Sequence, residues 1–419
     1  MRDLRTFDVI PKIIPAGHFA DIMGVSKATL MKWEQNGSFV PETDEAGRRF
    51  FHMEKLKNIP EIKAMIESDW EDEMRSVPLR PYTSIELFAG AGGLALGMEK
   101  AGFHHILLNE IDHDACNTLR YNRPRWQVAE QDVRTISFKR FRGEVDFLSG
   151  GFPCQAFSYA GKQGGFEDTR GTLFFELART VKEIQPKVFL GENVRGLTAH
   201  DGGRTLETIK RTIRELGYTL IEPKVLKAIL YQVPQKRERL LLVAIRNDLA
   251  DRVRFRWPAP YHRVMTLRDA FFAGELFDTD VPPSAGQKYP PKKQHVMELV
   301  PMGGYWRDLP LEVQKAYMGG SFELEGGKTG MARRLSLDEP SLTLTCSPAQ
   351  KQTERCHPTE TRPLTIREYA RIQTFPDEWL FSGTLSSQYK QIGNAVPINL
   401  AYAVGRSLIR LFNDIEQLS

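Results

Sequence analysis

Residues 85–99, "IELFAGAGGLALGME", read as a strand, a glycine-rich turn and the start of a helix. Gly90, Gly92 and Gly93 let the backbone approach a ligand at the carboxyl end of the first strand. The glycine spacing is not the full G-x-G-x-x-G dinucleotide pattern. Taken alone, the turn reads equally well as a tight connection. Two acids downstream tip the balance. Glu110 closes the second apolar run, twenty residues after Gly90, where a carboxylate accepts hydrogen bonds from ribose hydroxyls. Asp132 follows "QVAEQ", the expected third strand, where it meets an adenine amine. With acids at successive strand ends, an adenosine-containing cofactor is favoured over a turn with two ordinary surface acids.

Working outward, "SIELFAG", "HILLNEID", "VDFLSGGFP", "KVFLGENV" and "RLLLVAIR" are short apolar runs of the kind that form parallel strands buried on both faces. Helical patterns lie between them, so the chain is expected to be α/β, a doubly wound, mostly parallel sheet. The catalytic domain spans 83–256, after a linker at 63–82. From Trp257 the period dissolves into Pro- and Gly-rich segments, which read as a smaller loop-rich domain over 257–387. Residues 388–419 return to the catalytic domain. Residues 1–62 are separate and helical: one helix, a turn at Gly24, a second helix capped by Ser26, and "GRRFF" as a wing strand.

The 419 residues are 41% hydrophobic and 26% charged, an ordinary globular composition. No apolar run is long enough to span a membrane, and "MRDLRTFDVIPK" lacks a signal-peptide pattern, so a cytoplasmic protein is expected. Four widely spaced cysteines give no disulfide framework. The "C-x9-C-H" spacing of 346–357 is not that of a zinc site, so no metal is assigned. A net charge of +4 does not by itself imply nucleic acid. Local clusters do more: "QKRER" at 235–239, "RR" at 333–334 and "QKQTER" at 350–355.

"GGFPCQAFS" (150–158) places Cys154 just past the fourth strand, at the same carboxyl edge as the glycine turn. A free cysteine is more often a small hydrophobe. Pro153 and the preceding glycines mark a loop instead. Glu192, in "GENV", ends the fifth strand at that edge. A thiol and a carboxyl beside an adenosine site suit one reaction. Thiolate addition to carbon 6 of cytosine makes carbon 5 nucleophilic, and the carboxyl steadies ring nitrogen 3 and the exocyclic amine. S-adenosyl-L-methionine is the methyl donor and S-adenosyl-L-homocysteine the product. Arg237 and Arg239 hold the target phosphate or sugar and keep the thiolate ionised.

With "FAGAGG", "GFPCQ", "ENV", "QKRER", "REYARIQTFPD" (367–377) and "QIGNAVP" (391–397) in order, the chain resembles the DNA (cytosine-5) methyltransferases of bacterial restriction–modification systems. The resemblance covers about 83–419, apart from the variable middle. It implies Cys154 as nucleophile, Glu192 as the base-binding acid, and Arg237 and Arg239 in the catalytic pocket. It implies a cofactor site of Phe88, Ala89, Gly90, Gly92, Gly93, Glu110, Ile111, Asp132, Val133, Pro153, Leu173, Asn394 and Val396. Gln155 and Ser158 belong to a loop, 155–172, that closes over a flipped base, since carbon 6 is inaccessible inside a duplex.

The expected partner is double-stranded DNA, not a membrane. Residues 257–362 read the target sequence, with Gln235, Arg333, Arg334, Gln350, Lys351, Thr353 and Arg355 as DNA-contacting side chains. The front resembles the winged helix-turn-helix of mercury-resistance-type regulators, the alternative being a helical packing domain. Repression of the enzyme's own gene through Lys27, Thr29, Lys32, Arg48 and Arg49 is the expected use. The enzyme is then a monomer on its target, with a dimer through the front at a promoter as the second arrangement. Two other readings stand beside DNA methylation: methylation of cytosine in tRNA, and a regulator with an inactive methyltransferase body.

Overall fold

The computed structural model describes residues 11–152 and 172–418. Cys154, Pro153, Gln155 and Ser158 therefore lie outside the described residues.

The front folds as expected. β1 (Ile13–Pro15) leads into α1 (Ala16–Met23), which ends at Gly24 with a left-handed φ of 69°. α2 (Lys27–Gln35) starts from Ser26, whose hydroxyl accepts the Thr29 N–H at 3.0 Å. β2 (Glu42–Thr43) and β3 (Arg49–His52) form an antiparallel wing, with β1 on the other side of β3. Phe19, Ile22, Leu30 and Phe51 are buried in a core that continues into the body through Ile229, Val243 and Phe412. α3 (Pro60–Ile66) and α4 (Trp70–Arg75) follow. The stretch expected as a linker is thus partly helical and well packed. Trp70 meets Tyr261 edge-on, and Glu73 accepts the Ala259 N–H.

The body is a mixed, mostly parallel sheet of eight strands among the described residues. They are β4 (Tyr82–Leu87), β5 (Phe103–Glu110), β6 (Val128–Glu130), β7 (Phe147–Gly151), β8 (Val188–Val194), β9 (Tyr218–Leu220), β10 (Lys224–Lys227) and β12 (Glu238–Arg246). The order is β10-β12-β8-β7-β4-β5-β6, with β9 also on β12. The helices between them are α5 (Gly93–Ala101), α6 (His113–Asn122), α7 (Leu173–Ile184) and α8 (Arg204–Glu215). All match helical patterns in the sequence. One expectation is corrected: "RLLLVAIR" runs antiparallel to β8, not parallel. Only Ala228–Arg237 separate β10 from β12, too few for the helical crossover that a parallel neighbour needs, so the strand reverses.

β11 (Gln235–Lys236) leaves the sheet and pairs with β13 (Ser341–Leu342) of the middle region. The middle is loop-rich, with a small core of Tyr289, Met297, Val300, Trp306, Met331 and Cys356. Leu267, Leu344, Tyr369 and Trp379 instead share a core with Ala95 and Leu119 of the body. The helix Leu385–Asn394 then leads through "GNAVP" to the helix Ile398–Glu416, which packs along α5.

Gly393 sits on that return. A Cβ there would stand 2.3 Å from the Thr345 carbonyl oxygen. Ala is ordinarily the better helix residue by about 0.5–1 kcal/mol. Here overpacking should win, and Gly393→Ala should cost about 1–3 kcal/mol, read as a lower urea midpoint. A midpoint at or above the parent's would mean the contact is loose.

Candidate active site

The carboxyl ends of β4, β5, β7 and β8 open into a cavity of about 730 Å³. Its walls include the turn Phe88–Ala91, the strand ends at Glu110–Asp112 and Gly151–Phe152, the end of β8, Arg237 and Arg239, the segment Thr343–Cys346, and the return Gln391–Val396. Of the expected cofactor residues it gathers Phe88, Ala89, Gly90, Gly93, Glu110, Ile111, Asn394 and Val396. Phe88 is held at a left-handed φ of 58°, a conformation that side chains other than Gly seldom adopt. A Cβ on Gly90 would meet nothing within 4 Å, so this turn leaves room for a ligand. Glu110 is fixed from both oxygens. One accepts the Gly90 N–H at 2.7 Å, the other the N–H groups of Ile111 and Asp112 at 2.7 and 2.9 Å. A cavity of this size, with an anchored carboxylate and an open turn, fits an adenosine-type cofactor.

Four expected cofactor residues do not line the cavity. Gly92 packs on Leu119 and Trp379, and Val133 lies in the core beside α7. Leu173 packs against that same core. Asp132 turns aside to Arg134, which binds its carboxylate at 2.5 Å and holds its pKa down to about 2.

At the other end, Glu192, two residues before the end of β8, stands opposite Gly151, the last residue of β7. The Glu192 side chain crosses that position: a Cβ on Gly151 would stand 2.8 Å from Glu192 Oε2. The second glycine of "GGFPCQ" is therefore required by the carboxyl beside it. Arg239, a diagonal neighbour across the antiparallel β8–β12 pair, binds Glu192 Oε1 through Nε at 2.5 Å. Arg237 is buried and donates to the carbonyls of Leu344 and Gly393, while its Nε has no partner among the described residues. Burial, followed by the neighbouring Arg239, lowers its pKa to about 9. Asn193 donates to the Phe152 carbonyl at 2.7 Å, tying β8 to the start of the segment that runs on to Cys154.

The expected DNA contacts divide. Gln350 and Lys351 are exposed and Thr353 partly so. Arg333 is half-buried, with its guanidinium over the Tyr305 ring. Gln235, Arg334 and Arg355 are corrected: all three are buried and structural. Gln235 joins Gln373 and the Leu344 N–H. Arg334 spends all five donors, on the carbonyls of Val300, Met297, His357 and Glu360 and on the Thr361 hydroxyl. Arg355 donates to the carbonyls of Glu354 and Thr343. Arg334 cannot offer a base edge a donor without breaking these bonds, and burial keeps Gln235 and Arg355 from the surface where a base edge would lie. The thiols sort similarly. Burial pushes Cys116 up to about 12, as for an inert packing thiol. Cys346 is exposed on the cavity wall and donates to Asn394 Oδ1 at 3.3 Å. Among the described residues no cluster suited to a metal ion is present, and no helix is long and apolar enough to cross a membrane.

Sequence reading missed Glu86, a buried acid inside β4 that lines the cavity and accepts the Ser149 hydroxyl at 3.3 Å. The sequence carries no signal for it, since Thr83 and Ser84 make this strand of mixed polarity. Burial pushes its pKa from 4.5 up to about 8, with Glu192 and Glu110 adding to the rise. A folded pKa above the unfolded one means that the native state holds the extra proton between those values. Stability should fall as pH rises through that window and level off above it. Glu86→Gln should be nearly neutral at pH 4 and stabilising at pH 9 by up to a few kcal/mol, at about 1.4 kcal/mol for each tenfold change in proton affinity. Urea midpoints of both proteins at the two pH values decide it. Equal differences at both would show that folding leaves the carboxyl's pKa unshifted.

Residues 82–410 match the family model for C-5 cytosine-specific DNA methylase, and residues 15–70 match that for MerR HTH family regulatory protein. The chain is 63% identical over 399 residues to the Type II methyltransferase M.Eco47II of Escherichia coli, covering 95% of each chain. It is 58% identical over 405 residues to the Type II methyltransferase M.PspPI of Psychrobacter sp. (strain TA137), covering 95% of this chain and 97% of that one. A crystal structure of a prophage-encoded DNA modification methyltransferase from E. coli shares the fold, with a TM-score of 0.58 at 24% identity, over 79% of this chain and 99% of that one. The fold, the cavity and these matches agree: the chain belongs to the C-5 cytosine-specific DNA methylase family and is a DNA (cytosine-5-)-methyltransferase.

Proposed function

We propose that the chain methylates carbon 5 of a cytosine flipped out of double-stranded DNA, through a covalent adduct to Cys154, as a Type II enzyme of a restriction–modification system. The observation that carries this is the pairing of Glu192 with Gly151. It sets the base-binding carboxyl at the strand end from which the chain runs straight on to Pro153 and Cys154. DNA is preferred to tRNA because the family model that matches the body is that of a DNA methylase.

S-adenosyl-L-methionine, held by Phe88, Gly90, Glu110, Asn394 and Val396, would supply an electrophilic methyl group on a sulfonium. The chain's own residues do the rest. The Cys154 thiolate adds to carbon 6, and the ring electron pair moves to carbon 5. Glu192 holds ring nitrogen 3 and the exocyclic amine, so that developing charge is met by a fixed partner. Arg239 fixes Glu192 in its rotamer. Carbon 5 takes the methyl group and then loses its proton to a base or water. The pair from that bond reforms the ring double bond and expels the thiolate.

Cys154→Ala should abolish methylation while S-adenosyl-L-homocysteine affinity stays within about twofold of the parent's, because the thiol acts only on cytosine. Duplexes carrying 5-fluorocytosine should give a covalent adduct on a denaturing gel with the parent and none with the variant. Methyl transfer by the variant within tenfold of the parent would remove the nucleophile assignment. Glu192→Gln should lower kcat by about a hundredfold or more. Unchanged turnover would make Glu192 a structural partner of Arg239.

A further inference from the structure

The front does not stand apart from the enzyme. Where it touches the body, four side chains of alternating charge meet. Asp21, on α1, pairs with Lys236 at 2.7 Å, and Lys27, the first residue of α2, pairs with Glu339 at 2.6 Å. Glu339 also feels Lys236, and Asp21 feels Glu339, so the two pairs form one cluster. Beside it, His18 Nε2 donates to the Asp338 carbonyl at 3.0 Å.

The cluster grips the two strands that build one wall of the cavity. Lys236 belongs to β11, and Glu339 lies two residues before β13. The next residues along these strands, Arg237 and Thr343–Cys346, line the cavity. The strands are cross-tied. The Thr343 hydroxyl donates to the Lys236 carbonyl at 2.6 Å, the Leu344 N–H to Gln235 Oε1 at 2.9 Å, and Arg237 to the Leu344 carbonyl at 3.2 Å. A shift of Lys236 against Glu339 therefore reaches Arg237 and Leu344 with little slack.

Lys27 in this cluster, and three other polar side chains elsewhere on the front, have partners within the protein. Lys27 is paired to Glu339, Arg49 to Glu34 and Arg48 to Asp44, and Thr29 shares a hydrogen bond with Ser26. Residues 11–62 carry seven Lys or Arg and seven Asp or Glu, without the positive excess that phosphate binding draws on.

We infer that the front is a clamp acting within the enzyme: Asp21 and Lys27 are positioning residues that hold β11 and β13 at the spacing the base-binding wall requires. This rests on the cavity being the site of methyl transfer.

The test uses the full chain and a duplex whose target has been mapped by bisulfite sequencing. Lys27→Glu and Glu339→Lys each set like charges together and should lower kcat/KM for the duplex about five- to tenfold. That is the fold-change expected for losing a partly exposed pair and gaining repulsion. The double swap should return to within about twofold of the parent. S-adenosyl-L-homocysteine affinity and thermal midpoint should stay near parental in all three, since Phe88, Gly90 and Glu110 do not touch the cluster. Single variants with parental kcat/KM, or a swap that restores nothing, would overturn the clamp. So would singles that methylate normally but lose affinity for the gene's own upstream duplex, which would make the front a separate DNA reader. Glu192→Gln, assayed alongside, separates the two ideas. If it is impaired and the charge variants are not, the clamp alone fails. If it is fully active, the site reading fails and the clamp with it.

Discussion

The cavity depends on a backbone-to-backbone squeeze. The return segment "QIGNAVP" passes between the glycine turn after β4 and the strand end after β13, with no side chain between. A Cβ on Gly93 would stand 2.4 Å from the Val396 carbonyl oxygen, and one on Gly393 would stand 2.3 Å from that of Thr345. Side chains can repack around a shift, but main chains in contact cannot. Two distant parts of the sequence, the first strand–helix turn and the last helix pair, are thereby locked to the middle region. "FAGAGG" is thus partly a packing motif. Gly90 faces open space in the cavity, Gly93 admits the return segment, and Gly92 seats against Leu119 and Trp379.

The cavity wall carries both signs of charge. Glu86, Glu110, Asp112 and Glu192 line it together with Arg237, Arg239 and Lys390, and Lys390 pairs with Asp112 at 2.9 Å. Several carboxylates so close together are costly in a buried place. The raised pKa of Glu86 relieves that cost by keeping the carboxyl protonated near neutrality. Arg237 shows the opposite compromise. It is a buried cation whose two bonded donors go to carbonyls and whose Nε has no partner among the described residues.

The parts of this architecture legible in the sequence are those that depend on local pattern. Alternating apolar runs located the strands, glycines located the turn after β4, and acids after strands located Glu110 and Glu192. Contacts made across the fold were not legible. Asp132 follows a strand just as Glu110 does, yet an arginine two residues on takes its carboxylate. Glu86 sits inside a strand, where an acid gives no hint of being buried beside a cavity. Lys27 and Arg49 look like exposed cations on a helix and a wing until Glu339 and Glu34 are brought to them. The reading of Cys154 rests on its motif alone, and the residue lies outside the described residues.

The basic residues of the middle region misled for a more general reason. A loop-rich domain leaves many carbonyls without the partners that a helix or a sheet ladder would supply, and each buried one must be satisfied. Here arginines do it. Arg334 takes four carbonyls, Arg371 donates to those of Ala270, Thr279 and Asp280, and Arg367 to those of Pro376 and Trp379. The planar fork of five donors reaches several strands of loop at once, which Lys cannot do. In a domain of this kind, counting Lys and Arg overstates the surface facing DNA, because the arginines act as internal scaffolding in place of secondary structure. Side chains left at the surface, such as Gln350 and Lys351, are then the better candidates for reading a target.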